Sequence, residues 1–167
     1  QWVARRRADL ELAEGAPLAL VVEPKIDGIS VSLVYERGTL VRAVTRGDGK
    51  KGDDITKQAL HARAVPMELR DAPARLEVRG ELYWPKAAFA RWNAALVARG
   101  EEPHANPRNG CAGVIKRKDP LGLDETGITS FLYQALSPGK TDLPRTQSGV
   151  LGWLKAAGAP VYLDDVR

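Results

Sequence analysis

The chain's 167 residues, 44% hydrophobic and 28% charged, have the mix of an ordinary globular protein able to bury one domain-sized core. No apolar run approaches the roughly 18 residues that span a bilayer, and no secretory h-region follows Gln1-Trp2-Val3-Ala4-Arg5-Arg6-Arg7, so a cytoplasmic protein without a membrane partner is expected. A net charge of +4 and a pI near 9.3 suit a polyanionic partner if the cations cluster, while one cysteine and two histidines exclude a disulfide framework and make a structural zinc site a poor prospect.

In chain order, residues 18–25 are apolar and β-branched, and residues 28–35 alternate apolar with small or polar side chains; both stretches read as strands. Glu36-Arg37-Gly38 makes a turn into a further strand over 39–45, completing an antiparallel hairpin. Residues 46–52 are too glycine-rich for regular structure, and Asp53 or Asp54 caps a short helix over 55–62. A strand over 76–84 carries a central Gly80, a place for close approach of a backbone or ligand. Pro85 suits the first position of a helix marked by Phe89, Trp92, Leu96 and Val97 and stopped by Gly100. Asn106-Pro107 starts another helix through about Arg117, in which Gly110 and Gly113 each cost roughly 1 kcal/mol relative to alanine and so suggest close packing or a close ligand. A strand over 128–135 and a helix over 146–157, with Gly158 as its stop, follow. Residues 137–144 are the most linker-like stretch, and 161–163 begin a last strand. Hairpins and helices in mixed order fit α+β with antiparallel sheets.

Four segments carry candidate chemistry. An extended backbone through Glu23-Pro24-Lys25-Ile26-Asp27-Gly28 sets Glu23, Lys25 and Asp27 on one side, because strand side chains repeat every two residues. An amine between two carboxylates reads as a nucleophilic lysine, active only when neutral, or as an exposed ion-pair cluster. Thr45-Arg46-Gly47-Asp48-Gly49 offers an arginine to phosphate or ribose oxygens, or is a solvated turn. In Val78-Arg79-Gly80-Glu81 the carboxylate of Glu81 suits a ribose hydroxyl or a hydrated Mg²⁺; the alternative is a buried Arg79 paired with an acid. Asn106-Pro107-Arg108 brings an arginine to a helix N-terminus, an anion site, and Lys116-Arg117-Lys118 either extends that charge or is a solvated helix end.

Taken together these segments are more specific than any one of them. Lys-x-Asp-Gly is the nucleophile motif of the covalent nucleotidyltransferases, and here it is followed by Thr-Arg-Gly-Asp-Gly, Gly-Asp-Asp-Ile-Thr, Val-Arg-Gly-Glu and Ala-Asn-Pro-Arg-Asn. The series, over about residues 21–135, resembles the NAD-dependent bacterial DNA ligases, and the Ala-Asn-Pro-Arg-Asn segment points to that branch over the ATP-dependent one. The resemblance implies an α+β, ATP-grasp-like nucleotidyltransferase domain, with twisted antiparallel sheets flanked by helices and a nucleotide groove between the sheets. It implies that Lys25 attacks the adenylyl phosphorus of NAD, that Glu23 reads the adenine amino group, and that Asp27 sits beside the phosphate. Arg46 and Glu81 match the pair that holds the ribose and assists catalysis; Tyr133 aligns with an aromatic stacked on adenine; Arg108, followed by Lys116, matches a DNA-phosphate contact. NAD, Mg²⁺ and nicked duplex DNA are the implied cofactors and partners of a monomeric, nucleoid-associated bacterial enzyme.

The sequence departs from the family pattern in places. Gly110, Cys111 and Lys116 stand where alanines and a second arginine are usual, so one DNA contact becomes a point charge. Nothing matches the family's later Asp-Gly-Val-Val-Ile-Lys segment or its last core lysine. Residues 1–167 therefore read as a partial adenylation domain truncated at its C-terminus, without the N-terminal NMN-binding domain or the OB-fold, zinc-finger, helix-hairpin-helix and BRCT parts. Weak or absent activity is expected of such a piece, since phosphate-directed lysines serve the transition state. An ATP-dependent or RNA-joining relative and a non-catalytic nucleic-acid-binding remnant are the rival readings.

Overall fold

The computed structural model describes residues 1–47, 51–138 and 143–162. Four strands, β1 (Ile29–Glu36), β2 (Thr39–Thr45), β3 (Arg75–Tyr83) and β4 (Thr129–Leu136), form one antiparallel sheet in the order β2-β1-β3-β4. Period-two patterning sorts its faces. Val31, Leu33 and Tyr35 of β1 and Leu76, Val78 and Leu82 of β3 are buried in the core, whereas Ser30, Ser32, Glu77, Arg79 and Glu81 point to the opposite, open face. Tyr35 is wholly enclosed, and its hydroxyl donates to the Pro66 carbonyl at 2.8 Å, so the one polar atom of that side chain is satisfied inside the core.

Four helices, α2 (Thr56–His61), α3 (Lys86–Ala98), α4 (Pro107–Ile115) and α5 (Gln147–Ala157), add Ala59, Trp92, Leu96, Cys111, Val114, Ile115 and Leu154 to the same core cluster. Their starts follow local chemistry. Asn106 accepts from the Asn109 N–H at 2.8 Å with Pro107 in the first turn of α4, and Thr146 accepts from the Gly149 N–H at 3.2 Å to open α5. Gly158, at φ 97°, closes α5. The aspartate cap expected for α2 is not formed: Ile55 is its N-cap with no side-chain cap hydrogen bond, while Asp54, one residue earlier, accepts from the Thr56 N–H and hydroxyl and Asp53 faces Lys116.

The hairpin turn has Arg37 and Gly38 both at positive φ, the conformation that matches the twist of two-residue hairpins. The predicted glycine at Gly80 is explained by backbone: a Cβ there would collide with the Phe131 carbonyl oxygen of β4. Beside it the β3–β4 register shifts, with Gly80 opposite Leu132 but Arg79 opposite Gln134, leaving Tyr133 as the extra residue of a β-bulge.

Several expectations need correction. Residues 18–25 form no strand, and Leu20, Val21 and Val22 are exposed; the β-like composition has no neighbouring ladder to join, and Pro17 and Pro24 remove donors at both ends. A helix not anticipated, α1 (Trp2–Asp9), buries no residue and is tied down by Arg7, which donates to the Ala16 and Ala13 carbonyls at 2.7 and 2.9 Å. Pro85 is the cap of α3 rather than its first helical residue, and α4 ends at Ile115, short of Arg117. The described residues form one sheet, not sheets facing each other across a groove. Residues 161 and 162 are not strand, and Leu163 lies outside the described residues. So do Asp48, Gly49 and Lys50 of the expected loop and residues 139–142 of the linker-like stretch.

Candidate active site

The open face of the sheet holds three hollows that run into one another. One of about 330 Å³ is lined by Glu23, Lys25, Glu81, Phe131 and Tyr133. The next, about 470 Å³, takes Tyr133 as a shared wall and adds Ser30, Ser32, Arg46 and Arg79. A third, about 440 Å³, shares Ser30 and Arg46 and extends to Arg108, Ala112 and Lys116. The structure thus brings together Glu23, Lys25, Arg46, Glu81, Tyr133, Arg108 and Lys116 along one groove.

Asp27 alone of the expected residues lines none of these hollows. Its Oδ1 lies 3.5 Å from Arg108 Nη1, with both side chains largely exposed, so it joins the lysine segment to α4. Glu23, Lys25 and Asp27 therefore do not share one side of a strand. Lys25 sits exposed on unpaired chain four residues before β1, Glu23 is partly buried, and the buried Gly28 lets the chain pass β3, since a Cβ would strike the Leu82 carbonyl oxygen.

The remaining side chains are held by the sheet. Glu81 lies directly opposite Ser30 across the β1–β3 ladder, and the Ser30 hydroxyl donates to Glu81 Oε1 at 2.7 Å. Arg46 leaves the end of β2 with its N–H on the Ser30 carbonyl at 3.0 Å. Tyr133 occupies the bulge, a device that re-aims a side chain, and Gln147 of α5 donates to its carbonyl at 2.9 Å. Burial raises the Tyr133 pKa and the Glu81 and Glu23 carboxylates add to that, against opposition from Arg46 and Arg79, so the ring keeps its proton at neutral pH. Phe131 stands 5.7 Å from the Tyr133 ring and 5.3 Å from that of Tyr162, whose hydroxyl meets that of Tyr83, giving the groove an aromatic edge.

Arg79 is exposed rather than buried, and donates to Glu77 Oε1 at 2.7 Å. Burial works to raise the Glu77 pKa, but the hydrogen bonds from Arg79 and Ser32 outweigh it, so the pKa is lowered and the carboxylate stays ionised. At the other end of the groove Lys116 pairs with Asp53 Oδ2 at 2.7 Å. Among the described residues no group of three or more acidic, histidine or cysteine side chains is placed to hold a metal ion.

The family model of the NAD-dependent DNA ligase adenylation domain matches residues 1–165. The chain belongs to that family. This adenylation-domain chain is 48% identical over 133 residues to a DNA ligase of Halorubrum lacusprofundi, covering 79% of the chain and 19% of the ligase. It is 43% identical over 150 residues to the DNA ligase of Carboxydothermus hydrogenoformans, covering 90% and 22% respectively. Against the DNA ligase of Heliobacterium modesticaldum it is 45% identical over 158 residues, covering 95% and 22%. The chain spans about a fifth of the length of these curated relatives.

Sequence reasoning passed over Ser30. The alternation in residues 28–35 puts it on the polar face, but its pairing with a carboxylate 51 residues away is a fact of register.

Proposed function

We propose that this chain supplies the self-adenylylation chemistry of an NAD-dependent DNA ligase. The observation that carries the reading is that Lys25, Glu23, Glu81 and Tyr133 line one hollow, and that this hollow continues past Arg46 to Arg108 and Lys116. In that reading the neutral Lys25 Nζ attacks the adenylyl phosphorus of NAD. A P–N bond forms, the bond from phosphorus to the bridging oxygen breaks, nicotinamide mononucleotide leaves with the electron pair, and the amine gives up its proton to solvent. Tyr133 stacks on the adenine, which Glu23 reads through its amino group, Arg46 and Glu81 hold the ribose, and Asp27 lies beside the phosphate path. Arg108 and Lys116 take the phosphate backbone of nicked duplex DNA, whose 5′-phosphate oxygen takes AMP as the Lys25 P–N bond breaks; the 3′-hydroxyl then attacks that 5′-phosphate, loses its proton to solvent and expels AMP to close the nick.

Mg²⁺ is the proposed metal, carried on substrate phosphates with its own waters; no step is assigned to it. We assign residues 1–167 to part of a nucleotidyltransferase-fold adenylation domain, acting as a monomer in the cytoplasm on nucleoid DNA. With it we propose an NMN-binding domain and DNA-encircling OB-fold, zinc-finger, helix-hairpin-helix and BRCT parts, as the family resemblance implies. Among the described residues no helix is long and apolar enough to cross a membrane.

The test is the intact mass of the chain, and of the full-length gene product, after incubation with Mg²⁺ and NAD or ATP. One adenylyl unit from NAD, lost in Lys25→Ala, is the expected result for the full-length protein, with little or none for the 167-residue chain alone. Adenylylation from ATP only would replace this reading with the ATP-dependent one, and sustained nick sealing by the 167 residues alone would overturn the expectation of weak activity.

A further inference from the structure

We propose that Ser30 is a positioning residue for adenylyl transfer, fixing Glu81 through its hydroxyl and Arg46 through its carbonyl; this rests on the reading just given for Glu81 and Arg46. Ser30 and Glu81 are directly opposed on β1 and β3, and the 2.7 Å hydrogen bond to Oε1 is the one donated to that carboxylate among the described residues. The same residue accepts the Arg46 N–H at 3.0 Å where the chain leaves β2. Ser30 lines two of the hollows and Glu81 the third, so the bond lies where they meet.

A glutamate on an open sheet face has three rotatable bonds, and its carboxylate samples many orientations unless one oxygen is held. With Oε1 occupied by Ser30, Oε2 is the oxygen presented to the groove, at the angle the ladder dictates. The pair assigned to the ribose is thereby referred to one backbone position. On the proposed reading adenine binding belongs to Tyr133 and Glu23, whereas the hydrogen bonds of Ser30 outside the strand ladder run to Glu81 and Arg46. Its loss is therefore felt in the geometry of attack more than in affinity.

The experiment compares Ser30→Ala, Ser30→Thr, Glu81→Gln and the Ser30→Ala/Glu81→Gln double variant in the full-length gene product, reading the rate of Lys25 adenylylation against NAD concentration. Ser30→Ala is expected to lower the maximal rate about tenfold, the size of one lost hydrogen bond to a charged group, with KM for NAD changed by less than about twofold. Ser30→Thr keeps the donor and restores the rate, and the double variant is no slower than Glu81→Gln alone because both changes remove one interaction. A normal rate in Ser30→Ala beside a slow Glu81→Gln overturns the role of Ser30 and leaves the adenylylation reading standing, as does a double variant whose losses simply multiply or a Ser30→Thr as slow as Ser30→Ala. A normal rate in Glu81→Gln, together with an adenylyl unit still gained by Lys25→Ala in the intact-mass test above, overturns the underlying reading and this inference with it.

Discussion

His104 shows how one side chain ties stability to pH. Its backbone is clamped by Asn93, which accepts from the His104 N–H at 3.0 Å and donates to its carbonyl at 2.9 Å, and its ring lies 5.7 Å from that of Trp84 with Nε2 buried and unpartnered. Burial lowers its pKa and the Arg117 charge adds to the effect. The folded pKa lies below the unfolded value of about 6.5, so this contribution to stability is complete above that value and is lost as pH falls through the folded pKa. Denaturation midpoints should therefore drop as pH falls below about 6.5, and His104→Gln should flatten that part of the profile. An unchanged slope in the variant would remove His104 as the source. Cys111 behaves differently: burial pushes its thiol up to about 12, so it stays protonated and serves as a small core side chain.

At the scale of elements, the two glycines in α4 looked alike in the sequence and are not alike in the fold. A Cβ on Gly110 would lie 3.1 Å from His104 Cβ and 3.3 Å from the Trp84 ring, whereas one on Gly113 meets nothing within 4 Å. Gly113→Ala should raise stability by about 0.5–1 kcal/mol through helix propensity, and Gly110→Ala should gain less or lose stability because its neighbours must yield. Thermal melts of both variants check this, and equal gains would show that α4 packs less tightly than described. The sequence made β1, β2, β3 and α3 legible because alternation and helical spacing each leave a periodic trace. It misread residues 18–25 because a β-like composition does not reveal whether a neighbouring strand exists. Tyr133 was singled out as an aromatic, but its bulge was hidden, since strict alternation along β4 fails between Leu132 and Gln134.

Across the whole molecule, motifs separated widely in the chain converge: the β1–β3 and β3–β4 pairings set residues 81 and 133 side by side, Arg46 follows directly from the end of β2, and the unpaired segment before β1 lays Lys25 beside them. The residue types of the candidate site were readable; their division was not, and Asp27 falls to Arg108 instead of to Lys25's hollow because the segment has no strand to enforce alternation. The basic end of the groove carries its own prediction. If Arg108 and Lys116 contact DNA phosphates, each alanine substitution in the full-length protein should weaken nicked-duplex binding and reduce the magnitude of the log affinity–log salt slope by about 0.9. Slopes that do not move would assign these cations to their Asp27 and Asp53 pairs alone.

The unpaired segment carrying Lys25 also sets an order of events in time. Lys25 is synthesised well before β3 and β4, so at roughly 5–20 residues per second the amine waits several seconds at the ribosome before Glu81 and Tyr133 exist to enclose it. In the folded chain Lys25 belongs to no secondary structure, so on the proposed reading the site would be completed by the closing of β4 rather than by the appearance of the lysine.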